Sequence, residues 1–148
     1  VKVSISNQQR KIRVNLRQLK KDSLKALRLL NLQRAELSIL LAGAKRTKEL
    51  NLKYRGVNRT TDVLSFPIYE SPDEFPADAD FLIGDIVINP SQALIQAKEH
   101  GVTFKEELRR LLVHGLLHLL GYDHEKNTYQ RRKMIKKETE LLEKLEES

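Results

Sequence analysis

The chain contains no cysteine, no tryptophan and no apolar run long enough to span a bilayer. Without cysteine there is no disulfide framework, no thiolate nucleophile and no sulfur ligand. That suits a reducing compartment and leaves any metal binding to histidine, carboxylate and water. The most apolar stretch, about residues 111–120, is too short for a spanning helix and contains two histidines. Val1-Lys2-Val3-Ser4-Ile5 alternates as a strand does, unlike the continuous apolar run of a signal peptide. A soluble cytoplasmic protein is expected, and the 148 residues are read as one domain, 1–148.

Negative charge is scarce at one end. Residues 1–31 hold nine Lys and Arg against the single acid Asp22, a net of +8, so the rest of the chain, with 18 basic and 19 acidic residues, sums to −1. On a helix starting near Leu16, Arg17, Lys21, Lys25 and Arg28 follow three- and four-residue steps and form one basic stripe. Such a stripe suits a phosphate backbone, although a lysine-rich face is often only solvated. A membrane surface suits it less, because the apolar residues of this helix are leucines without tryptophan or phenylalanine.

Patterning gives four strands and five helices. Val1, Val3 and Ile5 mark a first strand, and Ile12 and Val14 suggest further extended chain. Asn15 with Gln18 resembles a capping box opening a leucine-faced helix that ends near Asn31. Leu37, Ile39 and Leu41 alternate before Gly43, and Lys45–Leu52 reads as a short helix leading into Tyr54-Arg55-Gly56. Asp62–Ile68 and Phe81–Ile88 suit a hairpin whose connection, 69–80, is an acidic, proline-containing excursion. Pro90 opens a helix that Gly101 ends, and Thr103 with Glu106 caps another from Phe104 to Leu120, apolar on nearly every side. The last helix, Thr128–Glu146, is basic early and acidic late, against the helix dipole; Arg131, Arg132 and Lys133 either serve a partner or form a solvated face.

Three of the four histidines fall inside His114-Gly115-Leu116-Leu117-His118-Leu119-Leu120-Gly121-Tyr122-Asp123-His124. Residues four apart share a helix face, so His114 and His118 can grip one ion together. Gly121 can take the left-handed C′ conformation that ends the helix and returns His124 as a third ligand. A lone histidine on so apolar a helix would more often be a satisfied core residue. Three at this spacing would each need a separate partner if buried without metal, whereas one cation satisfies them all. Three protein ligands leave one tetrahedral position open, the arrangement of a catalytic Lewis acid more than of a closed structural site. Zinc is expected, one ion, and three imidazoles also suit nickel or copper.

The same spacing occurs in metzincin peptidases, which carry Glu directly after the first histidine as general base; here that residue is Gly115. Asp123 and Glu125 are the carboxylates able to approach from the turn. A metallopeptidase is therefore the weaker reading.

The run from His114 to His124 resembles the hallmark of the YbeY family of bacterial metal-dependent endoribonucleases, as do Tyr54-Arg55-Gly56 with Thr61-Asp62-Val63-Leu64-Ser65-Phe66-Pro67, and Gly84-Asp85-Ile86-Val87-Ile88. The likeness spans nearly the whole chain and is weakest in residues 1–35 and the acidic excursion. It implies an α+β fold: a small, mostly four-stranded mixed sheet packed with about five helices, with a zincin-like metal helix against the sheet. It further implies zinc on His114, His118 and His124, and cleavage of single-stranded RNA in ribosomal RNA maturation, at the 3′ end of the small-subunit RNA, and in ribosome quality control. The partners implied are single-stranded RNA, rRNA and the small ribosomal subunit, with neither membrane nor DNA expected. Arg55 and His114 are the catalytic candidates. A guanidinium fork stabilises charge building on non-bridging phosphate oxygens, although a lone arginine is more often a surface residue. Asp85 and Asp123 are weaker candidates for orienting a ligand histidine, turn roles being at least as good a reading. Ser65 and Tyr122 have polar tips near the motifs without a case as nucleophiles. A ribosome-binding assembly factor with a mainly structural metal remains the alternative.

Overall fold

The computed structural model describes residues 2–123 and 125–147. It is an α+β fold of four strands and five α-helices. β1 (Lys2–Asn7) leads through α1 (Leu16–Leu29) to β2 (Ala35–Leu41), and α2 (Ala44–Arg55) leads to β3 (Val63–Pro67). A short 3₁₀ turn, Pro72–Glu74, lies in the connection to β4 (Phe81–Ile88), followed by α3 (Pro90–His100), α4 (Phe104–Leu119) and α5 (Thr128–Glu146). The strand order is β1-β2-β4-β3, with β1, β2 and β4 parallel and β3 antiparallel to β4, so the sheet is mixed. Among the described residues no helix is long and apolar enough to cross a membrane.

The expected elements form, with informative differences at their edges. Residues 10–15 form no strand. α1 ends at Leu29, with Asn31 in the left-handed conformation at φ 59° just beyond it. Its capping is one-sided: Asn15 Oδ1 accepts from the Gln18 amide, while the Gln18 side chain turns forward to donate to Asp22. α2 runs three residues past the expected end, to Arg55, before Gly56 caps it at φ 70°. At α4 the full capping box forms between Thr103 and Glu106.

Strand alternation places Leu37, Ile39 and Leu41 in the main core, packed with Leu27 of α1, Leu112 and Leu116 of α4 and Met134 of α5. A smaller cluster of Leu50, Leu64 and Val87 involves α2. One bulge adjusts the pattern: Glu36 pairs with Leu82 but Leu37 pairs with Gly84, leaving Ile83 as the extra residue. Ile83 and Ile86 therefore both reach the main core, which strict alternation forbids.

Gly84 is required at this bulge. Its φ is +154°, and a Cβ there would sit 2.5 Å from the Phe66 carbonyl oxygen and 2.8 Å from Leu119 Cδ2. Gly84→Ala is expected to destabilise the protein by about 1–3 kcal/mol or more, through backbone strain and overpacking. The urea midpoint should fall accordingly, and an unchanged midpoint would contradict this packing.

Candidate active site

α4 carries the first two histidines of the run in its last two turns. Its end is a Schellman motif: Gly121 N–H donates to His118 O (3.0 Å), Tyr122 N–H donates to Leu117 O (3.1 Å), and Gly121 adopts φ 91°. The chain thereby leaves the helix where the glycine was expected to stop it. His124 lies outside the described residues.

The rings of His114 and His118 converge, with their Nε2 atoms 3.1 Å apart. Two nitrogens bound to one tetrahedral ion at about 2.0 Å each stand about 3.3 Å apart, so this pair suits a zinc-class ion. The opposite face of His114 is fixed as well: Nδ1 lies 2.7 Å from Glu138 Oε1. An ionised carboxylate only accepts, so Nδ1 carries a hydrogen, and in the neutral ring Nε2 is then the nitrogen with the lone pair. This is the carboxylate–histidine arrangement that orients metal ligands and raises their basicity.

Glu138 was not among the sequence candidates for that role. Asp85 lies in β4, in register with Phe66 of β3. Asp123 Oδ1 accepts from Glu125 N–H at 2.9 Å, a turn role. A signal for Glu138 does exist in α5: Met134, Leu141 and Leu145 are its buried residues, and 138 falls on the same helical stripe.

His114 and His118 open onto a cleft of about 630 Å³ that Arg55, Asp62, Arg110 and Tyr122 also line. Arg55, the last residue of α2, lines the same cleft, so residues far apart in sequence share its walls. Ser65 is engaged in holding structure: its hydroxyl donates to the Gly115 carbonyl at 3.0 Å. Position 115, which carries no peptidase base, is closely packed: a Cβ there would meet Ile86 Cγ2 at 3.0 Å and Ser65 Oγ at 3.2 Å.

Beneath the cleft lies a polar network absent from the sequence reading. Glu107, only 1% exposed, accepts from Arg110 Nη2 at 2.7 Å and from Gln96 Nε2 at 2.8 Å. Gln96 also donates to Asp62 Oδ2 at 3.1 Å, and Arg110 Nη2 stands 3.7 Å from the same carboxylate. Burial pushes the Glu107 carboxyl up, but the hydrogen bonds from Arg110 and Gln96 outweigh it and hold the group below its ordinary value. The same pairing raises Arg110.

The basic stripe is only partly available. Arg17, Lys21 and Arg28 are exposed, whereas Lys25 Nζ donates to the Lys144 carbonyl at 2.8 Å and so closes the end of α5. Lys25 serves the fold because α1 packs beside α5 and that helix end needs a donor.

Residues 4–146 match the family model described as Endoribonuclease YbeY. The chain is 39% identical to the endoribonuclease YbeY of Thermodesulfovibrio yellowstonii, covering 98% of each chain. It is 38% identical to that of Aquifex aeolicus over 90% of this chain and 89% of the relative. The solution structure of a Thermotoga maritima protein superposes with a TM-score of 0.66 at 28% identity, covering 97% of this chain and 88% of that one.

Two measurements test the groups around the cleft. Glu138→Gln leaves the His114 ring without its charged acceptor, and zinc affinity in competition with a chelating dye should fall about 10- to 100-fold; equal affinity would deny Glu138 this role. Glu107 makes a pH-dependent contribution of defined sign. Its folded value is depressed, so the stabilisation is complete above the unfolded value of about 4.5 and is lost as pH falls through the lower folded value. Glu107→Gln should flatten the acid limb of the stability profile below about pH 5.

Proposed function

The chain belongs to the YbeY endoribonuclease family, and on that premise we propose that it is a zinc-dependent endoribonuclease acting on single-stranded RNA. The proposed setting is ribosomal RNA maturation in the cytoplasm, at the 3′ end of the small-subunit RNA, and ribosome quality control on the small subunit. The observation that supports the catalytic reading is that Arg55 lines the same cleft as the paired His114 and His118 nitrogens. The excess positive charge of residues 1–31 supports a polyanionic substrate.

His114 and His118, completed by His124, are the residues that would hold the ion. Bound there, zinc would supply a Lewis acid able to polarise a phosphoryl oxygen. Glu138 keeps His114 in the tautomer that offers Nε2. Arg55 presents a planar fork of N–H donors to the phosphodiester and stabilises the charge that grows on its non-bridging oxygens as the fifth bond forms. Arg110, held by Glu107 and Asp62, keeps a second positive charge on the cleft wall.

His114→Ala should abolish metal-dependent cleavage of a single-stranded RNA, and Arg55→Ala should lower kcat about 10²- to 10³-fold while zinc content stays intact. Chelation should stop cleavage and added zinc should restore it. A preparation of His114→Ala that cut RNA at the parent's rate would assign the activity to a contaminating nuclease. End-group analysis decides the attacking group: a 2′,3′-cyclic phosphate requires the RNA's own 2′-hydroxyl, and a linear phosphate requires water.

A further inference from the structure

A second groove, of about 450 Å³, lies beside the cleft and shares Gly121 and Tyr122 with it. Its floor is apolar, supplied by Leu30 at the end of α1, Phe75 from the 69–80 excursion and Leu120 at the end of α4. Its rim is cationic, with Lys133 and Lys137 of α5 one helical turn apart. Lys133 Nζ stands 5.9 Å from the centre of the Tyr122 ring. Among the described residues neither lysine forms a salt bridge.

We propose that this groove binds the nucleotide flanking the scissile phosphodiester, with its base on the apolar floor and backbone phosphate on Lys133 and Lys137. The inference rests on the endoribonuclease reading, since it is the strand held in the cleft that must continue past Tyr122. Three observations select this occupant. An apolar floor with one aromatic ring and a cationic rim is what an unpaired nucleotide requires, because every base has a face to stack and every link a charge to neutralise. Residues 128–137 of α5 contain Arg131, Arg132, Lys133, Lys136 and Lys137 and no acid, so cations crowd the helix end where the dipole disfavours them. Gly121 and Tyr122 line both, which sets the groove directly beside the place where a phosphodiester would sit.

The geometry also assigns a role to the 69–80 excursion. Phe75 is held by edge contacts and tilted stacking with Tyr69 and Phe81, at centroid distances of 5.4 and 4.8 Å. Its ring is therefore fixed before a base arrives, and little ordering entropy is lost on stacking.

Anisotropy of a fluorescent 12-nucleotide single-stranded RNA, mixed with the full chain in chelator so that the strand stays intact, tests the groove. Lys133→Ala/Lys137→Ala should weaken binding on the order of tenfold and reduce the slope of log affinity against log salt by about 1.4, two phosphate contacts at about 0.7 each. Lys133→Arg/Lys137→Arg should restore both quantities. Phe75→Leu keeps the floor apolar and should weaken binding about fivefold without changing the slope. Parent affinity and parent slope in the alanine double variant would overturn the proposal, as would equal competition by an acidic peptide of matched charge. A parent protein that binds RNA in this lysine-dependent way but cuts none with zinc present would leave the groove standing and remove the endoribonuclease reading. A parent that cuts RNA while the alanine variant binds as well as it does would remove the groove alone.

Discussion

The site depends on how closely α4 lies on the sheet. At Gly115 the helix backbone comes so near Ile86 that a methyl group would crowd it, and Ser65 ties the Gly115 carbonyl down from β3. Each residue turns a helix by about 100°, so with position 115 facing the sheet, positions 114 and 118 fall on the same side of that direction, within about 40° of each other. The closeness of the packing thus fixes the azimuth of both imidazoles. Gly84 performs the matching service from the sheet, where its missing side chain makes room for Leu119. A looser interface would leave the Nε2 pair free to part.

The opposite wall of the cleft is held by buried amides. Asn51 of α2 donates to Arg59 O at 2.9 Å, and Asn89, which caps α3, donates to Thr60 Oγ1 and Thr61 O at 3.2 and 3.3 Å. Both side chains are almost fully buried, where an N–H donor lacking an acceptor is costly, so the donated bonds pin the segment between α2 and β3; Asn51 Oδ1 has no partner among the described residues. Arg55 enters that segment and Asp62 leaves it. Arg55 and Asp62 are thereby held at the two ends of one hydrogen-bonded segment, while Leu50 packs α2 on Leu64 and Val87.

The elements were legible because their signals are local: alternation in the strands, leucine spacing in α1, Asn15 before α1, Pro90 at the start of α3 and the Thr103–Glu106 pair opening α4. The histidine pair was legible for the same reason, four residues on one helix. The polar partners were harder to read, since Glu138 meets His114 across 24 positions and Asp22 meets Arg109 across 87. Each of these acids nevertheless leaves a trace. Asp22, Glu107 and Glu138 all stand on the inward-facing stripe of a helix, where an ionised carboxylate persists only if a cation or donor meets it. An acid in the middle of an apolar stripe therefore asks for a partner, and in this fold the partners are Arg109, Arg110 and His114. What pattern alone does not supply is which partner goes with which acid, because that is set by how the helices cross.

The reversed charge order of α5 follows from serving two neighbours at once. Its inward stripe must deliver a carboxylate to His114 one turn after Met134 enters the core, which places Glu138 past the helix midpoint. Its first half borders the Tyr122 groove, and acids there would repel the polyanion that the cleft is proposed to accept. Cations early and a carboxylate later satisfy both neighbours, at a cost of a few tenths of a kcal/mol per charge against the dipole. Lys25 offsets part of that cost by donating to the α5 carbonyl end. A helix optimised only for its own stability would reverse the order, so the order is evidence about what surrounds the helix.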